Sequence, residues 1–154
     1  LSLCGMHAMD IMRMESGFVH WGHDISPEEN QYEAGLNFTI SYKKDSNFIG
    51  KEAVCKIKDQ KPKKNFIMLS LLNSKPGDPL LLHDEPIYSN GKIIGRTTSG
   101  NYSFNYKKSI AFGYINTEKS IDLSNLEIEV EKRKYKAVIL KKSLHDPNNK
   151  IMKS

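Results

Sequence analysis

The stretch PIYSNGKIIG, Pro86 to Gly95, sets Asn90-Gly91 between two apolar runs. Asn and Gly tolerate the left-handed backbone that both central positions of a two-residue hairpin turn require, so the stretch reads as two antiparallel strands joined tightly. Runs of the same kind surround it. NFIMLSLL (65–72), SIAFGYI (109–115), LEIEVE (126–131) and YKAVILK (135–141) are short, apolar or alternating, and broken by turn signals such as SKPGDP (74–79). The last two flank KRK and predict a second hairpin. Five or six strands at this spacing imply a compact antiparallel barrel or sandwich.

Upstream the texture changes. Residues 3–17 carry helical periodicity closed by Gly17, with Ala8, Ile11 and Met12 on one face and Met6 and Met9 on another. A helix apolar nearly all round is expected to be buried. SPEE, from Ser26, predicts a capped helical turn in which Glu29 reaches back. LNFTISY alternates Leu36, Phe38, Ile40 and Tyr42 as a half-buried strand would, and Gly50 to Lys58 suggests a short helix. The polar DQKPKK, Asp59 to Lys64, marks a boundary. The expected architecture is therefore α+β: residues 1–60 as the end of an α/β domain, and 61–154 as a small antiparallel β-barrel.

The chain has 154 residues, 38% hydrophobic and 27% charged, as expected of a globular domain. No apolar run approaches the roughly 18 residues of a membrane span, so no membrane partner is expected. The N-terminus carries Asp10 and no basic leader, which argues against a signal peptide. It opens without Met, directly into helical pattern, and so reads as a piece of a longer protein. Cys4 and Cys55 make neither a disulfide framework nor a zinc knuckle, which suggests a reducing compartment. Abundant Lys and Asn suggest a bacterial, cytoplasmic protein; a eukaryotic source would place it in the mitochondrial matrix. The net charge of +5 suits an anionic partner and suits plain solubility as well.

The chemistry-bearing residues concentrate in MRMESGFVHWGHDISPEE, Met12 to Glu29. Asp10 and Arg13 can pair at i, i+3. Glu15 cannot face Arg13 and sits in the last helical turn, where the dipole disfavours an anion, so a group outside the helix must answer it. His20, His23 and Asp24 have spacing open to a metal, but His7, His83 and His145 are scattered, and no metal site is expected. Trp21-Gly22 reads as a tight turn packed by a large ring. No Ser sits in a nucleophile elbow, and no glycine-rich phosphate loop follows a strand.

These residues carry a resemblance. The tract AMDIMRMESGFVHWGHDISPEENQYEAGLNFTI, followed by FIGKEAV, resembles the aminomethyltransferase family, the T-protein of the glycine cleavage system and its relatives. The match runs through Arg13, Glu15, Gly17, Trp21, Gly22 and Asp24, then Glu33 to Leu36, then Phe48, Gly50, Lys51 and Ala53. HWGHDI is closer to the dimethylglycine and sarcosine dehydrogenases. Downstream, Gly95 to Ile115 is similar to the family's C-terminal barrel motif, and LHDPNN to the dehydrogenases' ending.

The resemblance implies folate chemistry. In such dehydrogenases a flavin (FAD) domain oxidises an N-methyl amine, and the folate-binding half passes the carbon unit to tetrahydrofolate, giving 5,10-methylenetetrahydrofolate. The family's catalytic Asp and the flavin domain are expected upstream of Leu1, so no catalytic residue is assigned here and the piece alone is expected to be inactive. The candidate folate- or substrate-binding residues are Arg13, Glu15, Trp21, Asp24 and Tyr102: the resemblance implies that Arg13 lies against the folate or substrate cavity, Trp21 and Asp24 are expected in a turn beside it, and Tyr102 is the barrel's candidate for the edge of the cleft, against plain packing. Arg13 would donate parallel hydrogen bonds to the ligand, with Glu15 orienting its surroundings. The lysine runs at 61–64 and 132–136 read as solvated faces, or as attractors for a polyglutamate tail. Two alternatives stay open: a folate-binding relative or T-protein-like transferase, and a basic barrel that holds single-stranded nucleic acid.

Overall fold

The computed structural model describes residues 3–117 and 121–154. Six strands form a closed antiparallel barrel: β1 (Lys64–Leu71), β2 (Pro86–Ser89), β3 (Lys92–Ser103), β4 (Lys108–Asn116), β5 (Leu126–Val130) and β6 (Arg133–Ile139). Their order around the barrel is β1-β4-β3-β2-β5-β6, and β6 closes back on β1 through Leu69↔Ile139 and its neighbours. The α+β class and the antiparallel barrel read from the sequence are both present.

The two short hairpins show why. Asn90 and Gly91 both take positive φ (48° and 78°), as the two-residue turn between β2 and β3 requires. The second hairpin turns on Glu131 and Lys132, also at positive φ (50° and 64°), one residue earlier than the KRK run suggested; Arg133 and Lys134 already belong to β6.

Alternation then sorts the strands. Leu69, Leu71, Ile87, Ala111, Ile115 and Ile128 point into a closed apolar interior. Met68, Ile110 and Phe112 point outward and meet Met14 of α1 (Met6–Glu15). β4 is thus covered on both faces, which is why Ser109 to Tyr114 is buried without a break. Burying a Met side chain completely contributes about 1.5–3 kcal/mol, so Met14 is a principal apolar anchor of the helix.

Helix α1 ends as its sequence predicts. Gly17 takes φ 79°, its N–H bonds Met14 O (3.1 Å), and the Phe18 N–H bonds Arg13 O (2.8 Å), the paired bonds of a glycine-terminated helix. Burial of the whole helix is not found. Met6, Met9 and Met12 are exposed, because the barrel wall covers only the stripe around Ile11 and Met14.

One further expectation fails. LNFTISY is not a strand: Asn37–Thr39 is one 3-10 turn and the Phe38 ring is exposed. The closed barrel offers no open edge for it to join, and Thr39 Oγ1 instead bonds Leu36 O (2.7 Å). SPEE forms a capped turn, with Glu29 N–H bonding Ser26 O (3.2 Å) and Ser26 N–H and O–H both donating to Glu29 Oε2 (2.8 and 2.7 Å), and does not continue as a helix. Helix α2 (Lys51–Ile57) is present where the sequence placed it.

Candidate functional site

The turn His20–Ile25 is closed by its own backbone. Asp24 N–H bonds His20 O and Gly22 N–H bonds Ile25 O, each at 2.8 Å, with Gly22 at φ 89°. This turns the Asp24 carboxylate inward, where it is 1% exposed. Four donors meet it. Oδ2 accepts from Arg13 Nη1 (2.6 Å) and the His20 amide (2.9 Å); Oδ1 accepts from Thr98 Oγ1 (2.6 Å) and Ser99 Oγ (2.8 Å). A buried carboxylate is tolerated when its lone pairs are answered in this way.

Thr98 and Ser99 are adjacent in β3, and adjacent side chains of a regular strand point to opposite faces. The β3–β4 register slips between Thr97 and Ser99, leaving Thr98 as an extra residue. That bulge lets both hydroxyls reach the same oxygen. The partners lie more than seventy residues from Asp24 in sequence, and no local signal pointed to them.

Arg13 is the hub of this cluster. Nε and Nη2 both approach Asp10 Oδ1 (2.8 and 2.7 Å), Nη1 reaches Asp24 and Phe18 O (3.1 Å), and Nη2 also reaches Ser99 Oγ (2.8 Å). Nε, both positions of Nη1 and one of Nη2 therefore donate hydrogen bonds within the protein, and the guanidinium carbon lies 5.6 Å from the Phe112 ring centroid. The Asp10–Arg13 pair expected from spacing is present. Parallel donation to a ligand was also expected; here those donors are already engaged.

Glu15 forms a separate node. It is 4% exposed, and among the described residues no ion pair includes it. Ser103 Oγ donates to Oε1 (2.6 Å) and Asn105 Nδ2 to Oε2 (3.0 Å), while Ser103 Oγ accepts the Tyr106 amide (3.0 Å). The group outside the helix that its position demanded is thus the turn between β3 and β4. Tyr102 stacks edge-on against Phe104 at 5.1 Å, away from the Asp24 cluster.

Between α1, the His20–Ile25 turn and β3 lies an open groove of about 470 Å³. Met6, Met9 and Phe18 form one side, Trp21, His20 and His23 another, and Leu82 and Gly100 a third, with Arg13 and Ser99 at the base. Among the predicted site residues, Arg13 and Trp21 line this groove, Asp24 holds Arg13 from beneath, and Glu15 and Tyr102 lie outside it. Trp21 is 68% exposed, so its ring forms a wall of the groove and does not pack the turn as the sequence suggested. His20 and His23 rings lie 4.6 Å apart. Among the described residues no three His, Cys, Asp or Glu side chains converge in a group that could hold a metal ion.

On the far side of the turn, Tyr114 Oη donates to Asp24 O (2.9 Å), and burial, with Glu29, Asp24 and Glu33 nearby, pushes its hydroxyl pKa above the ordinary phenol range. Lys64 pairs with Glu29 (2.5 Å). None of the lysines at 61–64 or 132–136 lines the groove. Lys134 and Lys136 stand opposite Glu129 and Glu127 across the β5–β6 ladder, and the Lys134 ammonium lies 3.8 Å from the Tyr88 ring centroid.

Comparison with known proteins agrees with this architecture. Residues 64–146 match the glycine cleavage T-protein C-terminal barrel domain, and residues 1–44 match the GCVT N-terminal domain. The chain is 37% identical over 154 residues to a 4-methylaminobutanoate oxidase (formaldehyde-forming) of Paenarthrobacter nicotinovorans, covering 99% of this chain and 18% of the relative. It is 36% identical over 140 residues to human mitochondrial dimethylglycine dehydrogenase, covering 91% of this chain and 16% of that protein. It thus spans under a fifth of the length of these relatives. The crystal structure of the glycine cleavage system aminomethyltransferase T from Bartonella henselae superimposes with a TM-score of 0.78 at 20% identity, over 91% of this chain and 38% of that one, and shares its fold.

Proposed function

Because this chain belongs to the glycine cleavage T-protein family, we propose that it is the C-terminal portion of a folate-dependent one-carbon enzyme of the dimethylglycine or sarcosine dehydrogenase type. The division at residue 60 into the end of a folate-binding domain and a barrel is part of the same proposal. One observation supports it most: Arg13, Phe18, Val19, His20, Trp21 and His23, from the tract that carries the resemblance, line the groove together with the β3 bulge, and much of its wall is apolar or aromatic. Such walls suit a flat heterocycle.

Tetrahydrofolate, when bound, supplies the nitrogen that accepts the carbon unit. The residues of this chain shape and hold. Trp21 offers a ring face. Arg13, fixed by Asp10, Asp24 and Ser99, contributes positive charge and a rigid base rather than free donors. Glu15 steadies the β3–β4 turn.

Trp21 is the single tryptophan, so its fluorescence reports on the groove. A stable reduced folate added to this chain, or to a longer protein containing it, is expected to quench that emission saturably. Emission that stays flat to millimolar ligand in both would refute the assignment.

A further inference from the structure

We propose that His7, His20, His23 and His83 together recognise the anionic part of the groove's ligand, a chain of spaced carboxylates, and that they do so as they take up protons. These are four of the chain's five histidines. Far apart in sequence, all four line the groove beside Trp21. His7 comes from α1, His20 and His23 from the turn, and His83 from the segment between β1 and β2. The ligand's identity rests on the folate reading; its charge rests on the histidines alone. No surface beyond the groove already assigned is needed.

Imidazole is the side chain that ordinarily changes charge between about pH 5 and 8. The fixed charges around it make that change decisive here. On α1, Asp10 and Arg13 face the groove, and Arg13 is bonded both to Asp10 and to Asp24 beneath it. Behind His83, Asp84 Oδ2 lies 3.0 Å from the imidazole Nδ1, and Asp84 Oδ1 accepts from Arg96 Nη1 at 2.8 Å. Each arginine is thus held by a carboxylate, and among the described residues no lysine lines the groove. Further positive charge facing a ligand must come from protonated imidazole.

The His20 and His23 rings lie 4.6 Å apart. Two imidazolium charges at that separation repel, and an anion set against both offsets the repulsion. Binding and protonation therefore favour one another, by the same factor in each direction. The four histidines stand around the groove and, among the described residues, do not converge as metal ligands would. Charges spaced along a chain fit this arrangement better than a single ion does. A γ-linked polyglutamate tail has that form, with a free carboxylate on every glutamate. The lysine runs that the sequence offered for this task lie elsewhere.

Calorimetric titration of the full chain at about pH 5.5 and about pH 8 tests this with two probes, γ-linked triglutamate alone and 5-formyltetrahydrofolate carrying one or three glutamates. Triglutamate is expected to bind saturably at the lower pH and about tenfold or more weakly at the higher. The triglutamyl folate should outbind the monoglutamyl form at the lower pH, with the advantage fading at the higher. His20→Gln, His23→Gln and His83→Gln should each cut the low-pH affinity about threefold. His145→Gln, which alters the histidine outside the groove, should leave it unchanged. Triglutamate that fails to bind at the lower pH, or binds equally at both, would overturn the proposal, as would an equal loss in His145→Gln. Folate bound with one affinity whatever the pH and tail length would sink this proposal and leave the folate reading standing. Triglutamate bound as expected by a chain that takes no folate would do the reverse.

Discussion

Arg13 Nη1 and Asp24 Oδ2 meet at 2.6 Å, the Asp24 side chain fully buried and that of Arg13 nearly so. The contact joins the last turn of α1 to the loop that follows it. Both partners are also fixed to the bulge in β3, through Ser99 and Thr98. Helix, loop and barrel are therefore locked by a single polar cluster, and that cluster forms the base of the groove.

Removing one member should expose the dependence. Asp24→Ala leaves the Arg13 charge with Asp10 as its one acidic partner and orphans the Thr98 and Ser99 hydroxyls, which should destabilise the protein by about 3–5 kcal/mol. Asp24→Asn, which keeps an acceptor, should cost less. Urea denaturation measures both, and a loss under about 1 kcal/mol for the alanine variant would show that the cluster is not structural.

Glu15 and Ser103 should be energetically coupled. Replacing Glu15 by Ala strands the buried Ser103 hydroxyl, at about 1–3 kcal/mol, whereas the exposed Asn105 amide can turn to water. A double-mutant cycle with Ser103→Ala should give a coupling of about 0.5 kcal/mol or more; additivity within error would place the carboxylate's support elsewhere.

Gly100 ties the barrel to the groove. A methyl group there would lie 2.5 Å from Leu82 O and 2.7 Å from Leu81 Cγ, backbone and core atoms that cannot simply rotate away. Gly100→Ala should therefore cost about 1–3 kcal/mol and shift the Leu82 wall of the groove. Denaturation reads the first effect, and the Trp21 emission maximum reads the second.

The Glu29 carboxyl sets an acid dependence. Burial pushes its pKa up, but hydrogen bonds from Lys64 and from Ser26 push it further down, so it lies below the ordinary range. A depressed carboxylate stabilises the fold fully above its unfolded pKa and loses that contribution as pH falls through the folded value. The stability difference between the natural protein and Ser26→Ala should accordingly be largest at neutral pH and shrink below about pH 4. A difference constant down to pH 2 would contradict this.

The barrel was legible because its information is local. Asn90-Gly91 specifies its own turn, and alternation in LEIEV and YKAVI specifies its own faces. The helix of Met6–Glu15 and its glycine stop were legible for the same reason. Which face of that helix is covered was not, since Met6, Met9 and Met12 are as apolar as Met14 and differ from it only in what the barrel presents to them. LNFTISY alternates like a strand, yet a ladder needs a partner, and among the described residues no strand pairs with it. At the site, the pairing of Asp10 with Arg13 followed from spacing, whereas Thr98, Ser99, Ser103 and Asn105 answer Asp24 and Glu15 from across the fold. A β-bulge that brings two neighbouring hydroxyls to one oxygen has no signature in RTTSG.

Calorimetric titration of a stable reduced folate into the natural protein and Trp21→Ala tests the central claim most directly, because the ring is exposed and its removal leaves the Arg13–Asp24 cluster untouched. The expected result is saturable binding that weakens about tenfold or more when the ring is lost, in keeping with 1–3 kcal/mol for an aromatic stacking contact. Equal affinity in the two proteins, with the fold intact in both, would place the ligand away from this groove.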